Sequence, residues 1–278
     1  MLNIELIKKP NQDHFKSFLA ICLKLIDLNS IKTKKIDPPM FYRQEMFVKF
    51  SYHLATIIHI EKGIMIAFAG RSHRLYDYSS VNVLTRALLE TFLTYYYVFC
   101  DAKDEDESRF RYWNWWIDGL NSRQQVKNIK DPLLIGKLEN ERRDIDDCTV
   151  KIKSTKAYSR LSAPQKKEFE KKRKWIRPGW IDIAVKAGMK KSTARHAYSY
   201  FSSYAHTNSL SILQFSQATI SNKGKEANPN MLKLLFMVAA MFIDEFAKYF
   251  QLKDQLSEYE QELVANWLLV AKNMSVAE

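Results

Sequence analysis

The chain has 278 residues, of which 46% are hydrophobic, so it can bury a substantial core as one large or two small domains. Its 7 glycines and 7 prolines are few for this length, which favours long helices over sheets joined by tight turns. Three isolated cysteines argue against a disulfide framework, and no apolar run is long enough to span a bilayer.

Apolar periodicity and capping residues predict helices along the whole chain. In order, these cover about residues 13–29, 40–69, 80–100, 107–127, 132–153, 162–177, 180–187, 192–206, 230–250 and 257–273. Gly63 marks a point of interruption, and we expect N-caps at Ser79 or Ser80, at Asp131 and at Ser192. No segment alternates long enough to predict a strand. We therefore expect an all-α fold, a single helical-bundle domain of roughly eight to ten helices over residues 1–278.

Segment 81–99, VNVLTRALLETFLTYYYVF, is apolar on nearly every side except for one polar stripe. Asn82, Arg86, Glu90 and Thr94 follow each other at a spacing of four, so they share one helix face. Because the remaining circumference is apolar, we expect Arg86 and Glu90 to be buried. Two interpretations fit: an ion pair that fixes helix packing, or an arginine held by glutamate to bind an anionic group.

A second polar stripe lies in RHAYSYFSSYAHTN, residues 195–208, where Tyr198, Ser202 and His206 are again four residues apart. Arg195 lies close to the same face. A histidine near a helix C-terminus can donate to a phosphate or transfer a proton. The alternative is a histidine that only hydrogen-bonds a neighbouring helix. We expect the two stripes to face each other and share one pocket, because polar groups are costly to bury without partners.

Segment 151–177 is strongly basic, with eleven lysines and arginines against two glutamates, a local charge of about +9. It is either a solvated lysine-rich helix or a surface that attracts phosphates through counterion release. We also expect a mobile insertion at about 151–179. The candidate nucleic-acid-binding residues are Lys166, Lys167, Lys171, Lys172, Arg173, Lys174, Arg177 and Arg195.

The phrase TRALLETFLTYYYVF, followed about 110 residues later by YSYFSSYAHTNS, resembles a bacterial family, domain of unknown function 5677. Members carry R-x3-E on one helix and S-x3-H on a later one. These correspond here to Arg86 with Glu90 and to Ser202 with His206. The intervening WIDIAVKAGM also resembles the family, and the resemblance covers roughly residues 41–211.

That family is loosely similar to the HEPN proteins, helical bundles of which many are ribonucleases in toxin or phage-defence systems. The HEPN motif is an arginine, four to six residues and a histidine on one helix. Here ten residues separate Arg195 from His206. The departure weakens the implied nuclease activity unless an arginine from another helix, Arg86, takes the place of the motif arginine.

The resemblance implies an RNA-binding protein that cleaves RNA as a metal-independent endoribonuclease. Arg86 would stabilise the phosphate charge, Glu90 would orient Arg86, and His206 would act as general acid or base. Ser202 and Tyr198 would position the histidine or the substrate. The alternative is a non-enzymatic interaction module in which arginine, glutamate and histidine form a buried polar network.

We expect RNA or another polyanion as the partner, and neither a cofactor nor a metal. By analogy with HEPN sites, the resemblance also implies a homodimer. The N-terminal residues lack the apolar core of a signal peptide, so we expect a cytoplasmic protein without membrane association. A partner protein cannot be predicted from the sequence.

Overall fold

The computed structural model describes residues 12–32, 38–172, 175, 177–220 and 229–273, and the statements below refer to these residues. They contain twelve α-helices, one π-helical turn, one 3₁₀ turn and a two-stranded sheet. The all-α fold class is therefore confirmed. None of the described helices is long and apolar enough to cross a membrane.

The helices are α1 (Gln12–Lys32), α2 (Pro38–Glu61), α3 (Tyr78–Tyr95), α4 (Glu105–Gln124), α5 (Pro132–Lys153), α6 (Lys156–Ser159), α7 (Ala163–Lys172), α8 (Trp180–Lys186), α9 (Lys191–Ala205), α10 (Ser209–Ile220), α11 (Pro229–Tyr249) and α12 (Glu258–Asn273). The strands β1 (Ile64–Phe68) and β2 (Arg71–Leu75) follow α2, and the π-helical turn, Tyr96–Cys100, follows α3. The 3₁₀ turn, Lys253–Gln255, follows α11. Helices α6 and α10 were not predicted as separate elements.

The chain divides into two compact units. The first consists of Met1–Thr94 and Trp180–Glu278, and the second of Tyr95–Gly179. Both polar stripes fall in the first unit, and the basic segment falls in the second. The expectation of a single domain stays a prediction.

Helix α11 lies at the centre of the first unit because it is apolar on almost every side. Phe236 packs against Phe15 of α1, with ring centroids 4.8 Å apart, and against Trp267 of α12 at 5.0 Å. Phe242, two turns further along, contacts Phe92 of α3 at 5.5 Å. The buried side of α3 is thereby fixed against the core, which determines the direction of its polar side.

The stretch predicted to continue the second helix to residue 69 forms a hairpin instead. Helix α2 ends at Glu61, and β1 pairs antiparallel with β2 so that Ile66 lies opposite His73. The two-residue turn has positive φ at both Ala69 (51°) and Gly70 (74°), as a type I′ turn requires. The expectation that the chain has no strands was wrong, because an Ala-Gly turn lacks the usual Asn-Gly or Asp-Gly signal.

The turn from α2 into β1 requires a glycine, so we expect Gly63→Ala to destabilise the first unit by about 1–3 kcal/mol. Gly63 has φ +81°, and a Cβ there would lie 2.8 Å from Cγ of Arg74. Urea denaturation measures the change. Gly119→Ala is the control, since Gly119 lies inside α4 with nothing within 4 Å of an added Cβ, and it should raise stability. Equal stability of Gly63→Ala and wild type would contradict the assignment of the turn.

Two helix N-termini differ in how well the sequence predicted their caps. Asp131 caps α5 as expected, since its carboxylate accepts from the N–H of Leu133 at 2.9 Å. The cap of α3 is Asp77 rather than Ser79 or Ser80, because the Asp77 carboxylate accepts from both the N–H and the hydroxyl of Ser80. An aspartate and a serine rank similarly as caps, so the sequence alone could not choose between them.

The three thiols differ in their burial, which predicts the order in which they react. Burial raises the pKa of Cys22 to about 12 and that of Cys148 to about 11, whereas Cys100 is partly exposed. Because the thiolate is the nucleophile, we expect N-ethylmaleimide at pH 8 to modify Cys100 first. Mass spectrometry of tryptic peptides checks the order. Faster modification of Cys22 than of Cys100 in the folded protein would contradict this packing.

Candidate functional site

Helix α3 has an apolar face and a polar face. Leu88 and Phe92 are 0% exposed, whereas the side chains of Arg86 and Glu90 are 15% and 31% exposed. Nε of Arg86 donates to Oε1 of Glu90 at 3.0 Å, as their spacing predicted. The pair is partly buried, less completely than expected. The apolar side chains of α3 cover the sides that face the core and leave the arginine and the glutamate partly accessible to solvent.

Helix α9 carries the second polar stripe and ends at its histidine. His206 is the C-cap, and its N–H donates to the carbonyl of Ser202 at 3.1 Å. The predicted cap at the other end was wrong, because the helix starts before Ser192. Lys190 occupies the N-cap without a side-chain hydrogen bond, and its N–H donates instead to the carbonyl of Ala271 in α12 at 3.2 Å.

The two stripes meet as predicted, through side chains 120 residues apart in the sequence. Nη1 of Arg86 lies 3.2 Å from Nε2 of His206. A guanidinium has only donors, so a hydrogen bond between these two atoms requires the tautomer in which Nε2 of the imidazole accepts. The Arg86 Cζ atom also lies 5.5 Å from the centroid of the Tyr198 ring, within the range of a cation–π contact. We call Arg86, Glu90, Tyr198 and His206 the arginine–histidine cluster.

The arginine–histidine cluster combines an arginine held by Glu90 with an exposed imidazole. His206 is exposed, and within the described part of the chain Arg86 uses two of its five N–H groups on Glu90 and His206. A guanidinium with a fixed plane and remaining donors suits bidentate binding of a phosphate. An imidazole with an unprotonated nitrogen can accept a proton from a bound hydroxyl.

The other candidates on α9 contribute less to the cluster. Ser202 is half-buried and supplies its carbonyl oxygen to the histidine N–H. Arg195 is exposed on the same helix, and among the described residues it makes no polar contact with Arg86 or His206. The fold therefore does not bring Arg195 into polar contact with His206.

Only part of the predicted basic surface can be described. Lys167 and Lys171 are exposed on α7. Lys166 is half-buried, because its Nζ donates to the carbonyl of Ser159 at 2.9 Å and lies 5.7 Å from the Tyr158 ring. Arg173, Lys174 and the side chain of Lys172 lie outside the described residues.

Arg177 is exposed and anchored at the end of the basic segment. Its Cζ lies 5.3 Å from the centroid of the Trp175 ring, and Nη1 donates to the carbonyl of Pro178 at 3.0 Å. The backbone N–H of Trp175 in turn donates to Oδ1 of Asp118 of α4 at 3.1 Å. The described basic side chains of the second unit therefore include two exposed lysines on α7 and an arginine with a defined orientation.

Comparison with known proteins supports the resemblance seen in the sequence. Residues 51–224 match a family described as a family of unknown function, DUF5677. The matched range contains all four members of the arginine–histidine cluster together with Ser202. No curated protein and no solved structure matches the chain. Because the match covers more than half of the chain, the protein belongs to the family of unknown function DUF5677.

Proposed function

We propose that the protein binds RNA and cleaves it at the arginine–histidine cluster without a metal ion. One observation carries this proposal: the 3.2 Å contact between Nη1 of Arg86 and Nε2 of His206 at a solvent-accessible position. In it, a cation suited to binding a phosphate lies beside an imidazole nitrogen that can exchange a proton. These are the two groups that phosphodiester cleavage by general acid–base catalysis requires.

The chemistry uses the 2′-hydroxyl of RNA as the nucleophile. An incoming phosphate draws the Arg86 N–H groups to its oxygens, which releases Nε2 of His206. Nε2 accepts the 2′-hydroxyl proton while the oxygen attacks the adjacent phosphorus, and the bond from phosphorus to the 5′-oxygen breaks. The products are a 2′,3′-cyclic phosphate and a 5′-hydroxyl, which receives its proton from the imidazolium. Arg86 stabilises the extra negative charge that develops on the phosphate oxygens.

Glu90 and Tyr198 hold the guanidinium in place for this role. Glu90 fixes Nε by a 3.0 Å hydrogen bond, and the Tyr198 ring lies 5.5 Å from Cζ. Preorganised charges stabilise a transition state at a smaller reorganisation cost than mobile ones. Ser202 positions the histidine through the helical hydrogen bond between its carbonyl and the His206 N–H.

The exposure of the cluster favours a role in ligand binding over a purely structural one. A polar network that specifies core packing is sealed from water, since its energetic weight comes from a low-dielectric environment. The Arg86 and Glu90 side chains are 15% and 31% exposed, and His206 is exposed. The pair is only partly buried, so removing one partner should cost less folding free energy than the about 3–5 kcal/mol typical of a fully buried pair.

The basic residues of the second unit provide RNA affinity that does not depend on sequence. Lys167, Lys171 and Arg177 are exposed, and neutralising phosphates with such side chains releases counterions from the RNA. By the resemblance to HEPN proteins, we place the activity in a toxin or phage-defence system.

The experiment is a cleavage assay with 5′-labelled single-stranded RNA in excess EDTA. We expect cleavage fragments ending in 2′,3′-cyclic phosphates, and no cleavage of DNA of the same sequence, which lacks the 2′-hydroxyl nucleophile. Intact RNA after prolonged incubation with folded protein would overturn the proposal, as would equal cleavage of RNA and DNA.

A further inference from the structure

The hairpin formed by β1 and β2 is exposed on both of its faces. Every residue of the two strands is exposed, so neither face packs against a helix. Within the described part of the chain, the sheet has only these two strands. A hairpin of two strands is at best marginally stable in water unless a third strand or a helix supports it. The exposure of both faces therefore indicates that a further segment binds the hairpin.

The two strands differ in character, and the difference decides which edge can bind that segment. Strand β1 reads IMIAF and has no charge, and its Met65 and Phe68 are 55% and 76% exposed. Strand β2 reads RSHRL and has exposed arginines at Arg71 and Arg74. Charges on an edge strand oppose the addition of another strand, whereas an uncharged apolar edge is a template for it. The available edge is therefore that of β1.

The turn geometry determines which peptide groups lie along the free edge of β1. Phe68 pairs with Arg71 on either side of the type I′ turn, and such a closing pair is hydrogen-bonded. Along an antiparallel strand, peptide groups point alternately towards one neighbour and the other. Ile66 therefore faces β2, while the N–H and carbonyl groups of Met65 and Ala67 are directed to the free edge.

We propose that β1 binds β1 of a second copy of the chain, antiparallel and centred on Ile66, to form a four-stranded sheet. In this register Met65 of each copy lies opposite Ala67 of the other. Both residues direct their peptide groups to the shared edge, so each such pair exchanges two hydrogen bonds. Met65 and Ala67 also combine a long side chain with a small one. Ile64 lies opposite Phe68, which covers apolar surface that is exposed in the single chain.

Charge and symmetry favour a second copy over other partners of the hairpin. Each chain has a net charge of +12, so self-association requires a surface without charge, and β1 provides one. The two β2 strands become the outer edges, about 14 Å apart, and their arginines oppose the addition of further strands. Antiparallel pairing of identical strands has two-fold symmetry, so the assembly closes as a dimer. An acidic protein or RNA would instead complement the arginines of β2.

Disulfide trapping of the Ile66→Cys variant tests the register directly. The two introduced thiols would lie on Cα atoms about 4.5 Å apart, within the range of about 4.4–6.8 Å that a disulfide spans. We expect diamide, which accepts the two electrons and two protons of the thiols, to convert most of the variant to a covalent dimer. His73→Cys is the matched control, since His73 lies opposite Ile66 on the outer strand, and it should stay monomeric like wild type.

Sedimentation equilibrium of the full chain tests the association without a cross-link. A five-residue strand pair is smaller than a standard interface, so we expect a weak dimer. The wild-type mass should rise from 32.7 kDa towards twice that value as the protein concentration increases into the micromolar range. Ile66→Lys should stay monomeric with an unchanged circular dichroism spectrum, because it places like charges opposite each other. His73→Lys puts the same charge on the outer strand and should dimerise like wild type.

The outcomes that contradict the dimer are distinct from those that contradict RNA cleavage. A monomeric wild type, a dimer that Ile66→Lys leaves intact, or equal cross-linking of the two cysteine variants would overturn the inference. None of these results would bear on cleavage, because the pairing uses no residue of the arginine–histidine cluster. If Ile66→Lys weakened RNA binding while the wild type was monomeric, the hairpin would be an RNA contact and the dimer would be excluded.

Discussion

Replacing His206 with alanine is expected to lower the rate of RNA cleavage by at least about 100-fold, because general acid–base catalysis contributes a factor of about 10²–10⁴. The melting temperature should change by less than about 2 °C, since exposed side chains contribute within about 0.5 kcal/mol to stability. Single-turnover cleavage kinetics and a thermal melt measure the two quantities on the same preparation.

His196→Ala is the control for that substitution. His196 is exposed on the same helix and stacks on Tyr200, with ring centroids 6.2 Å apart. The His196→Ala variant should cleave RNA at the wild-type rate. A His206→Ala variant that cleaves normally would exclude the histidine as the acid or base. A variant that loses its fold would instead show that the Arg86 contact serves stability.

RNA affinity is expected to fall steeply as salt rises. A protein with 6–10 phosphate contacts loses about 10³–10⁵ in affinity between 50 and 200 mM salt. Each contact with single-stranded nucleic acid contributes about 0.7 to the slope of log affinity against log salt. The double variant Lys167→Ala, Lys171→Ala should therefore lower the slope by about 1.4, because both lysines are exposed on α7.

The matched control for the lysine variant removes the same charge elsewhere. Lys248 and Lys272 are exposed on α11 and α12 of the first unit. Replacing both by alanine should leave the slope within about 0.3 of wild type, since neither is expected to contact a phosphate. Fluorescence anisotropy titrations at several salt concentrations give the slopes. Equal slopes for all three proteins would exclude Lys167 and Lys171 as phosphate contacts.

The site could be predicted from sequence because spacing is a local property. Side chains four residues apart on a helix share a face, which brought Arg86 to Glu90. The contact between Arg86 and His206 was predicted because polar groups that are removed from water need hydrogen-bond partners. Burial could not be predicted in the same way. It depends on which sides of α3 the neighbouring helices cover, and the sequence of α3 does not contain that information.

Two of the errors in the fold, the missed hairpin and the cap of α9, have a common physical cause. The hairpin at β1 and β2 and the cap at Lys190 both depend on weak local signals. The Ala69-Gly70 turn has no strong hairpin residue, and Lys190 at the N-cap of α9 makes no side-chain cap hydrogen bond.

A double-mutant cycle of Arg86→Ala and His206→Ala in RNA cleavage measures whether the two residues act as one site. Each substitution alone should lower the cleavage rate by at least about 100-fold, and the double variant should cleave no more slowly than about three-fold below the slower single variant. Such non-additivity is the signature of groups that stabilise the same transition state. Losses that multiply in the double variant, or a single variant with the wild-type rate, would contradict a shared catalytic role for the two side chains.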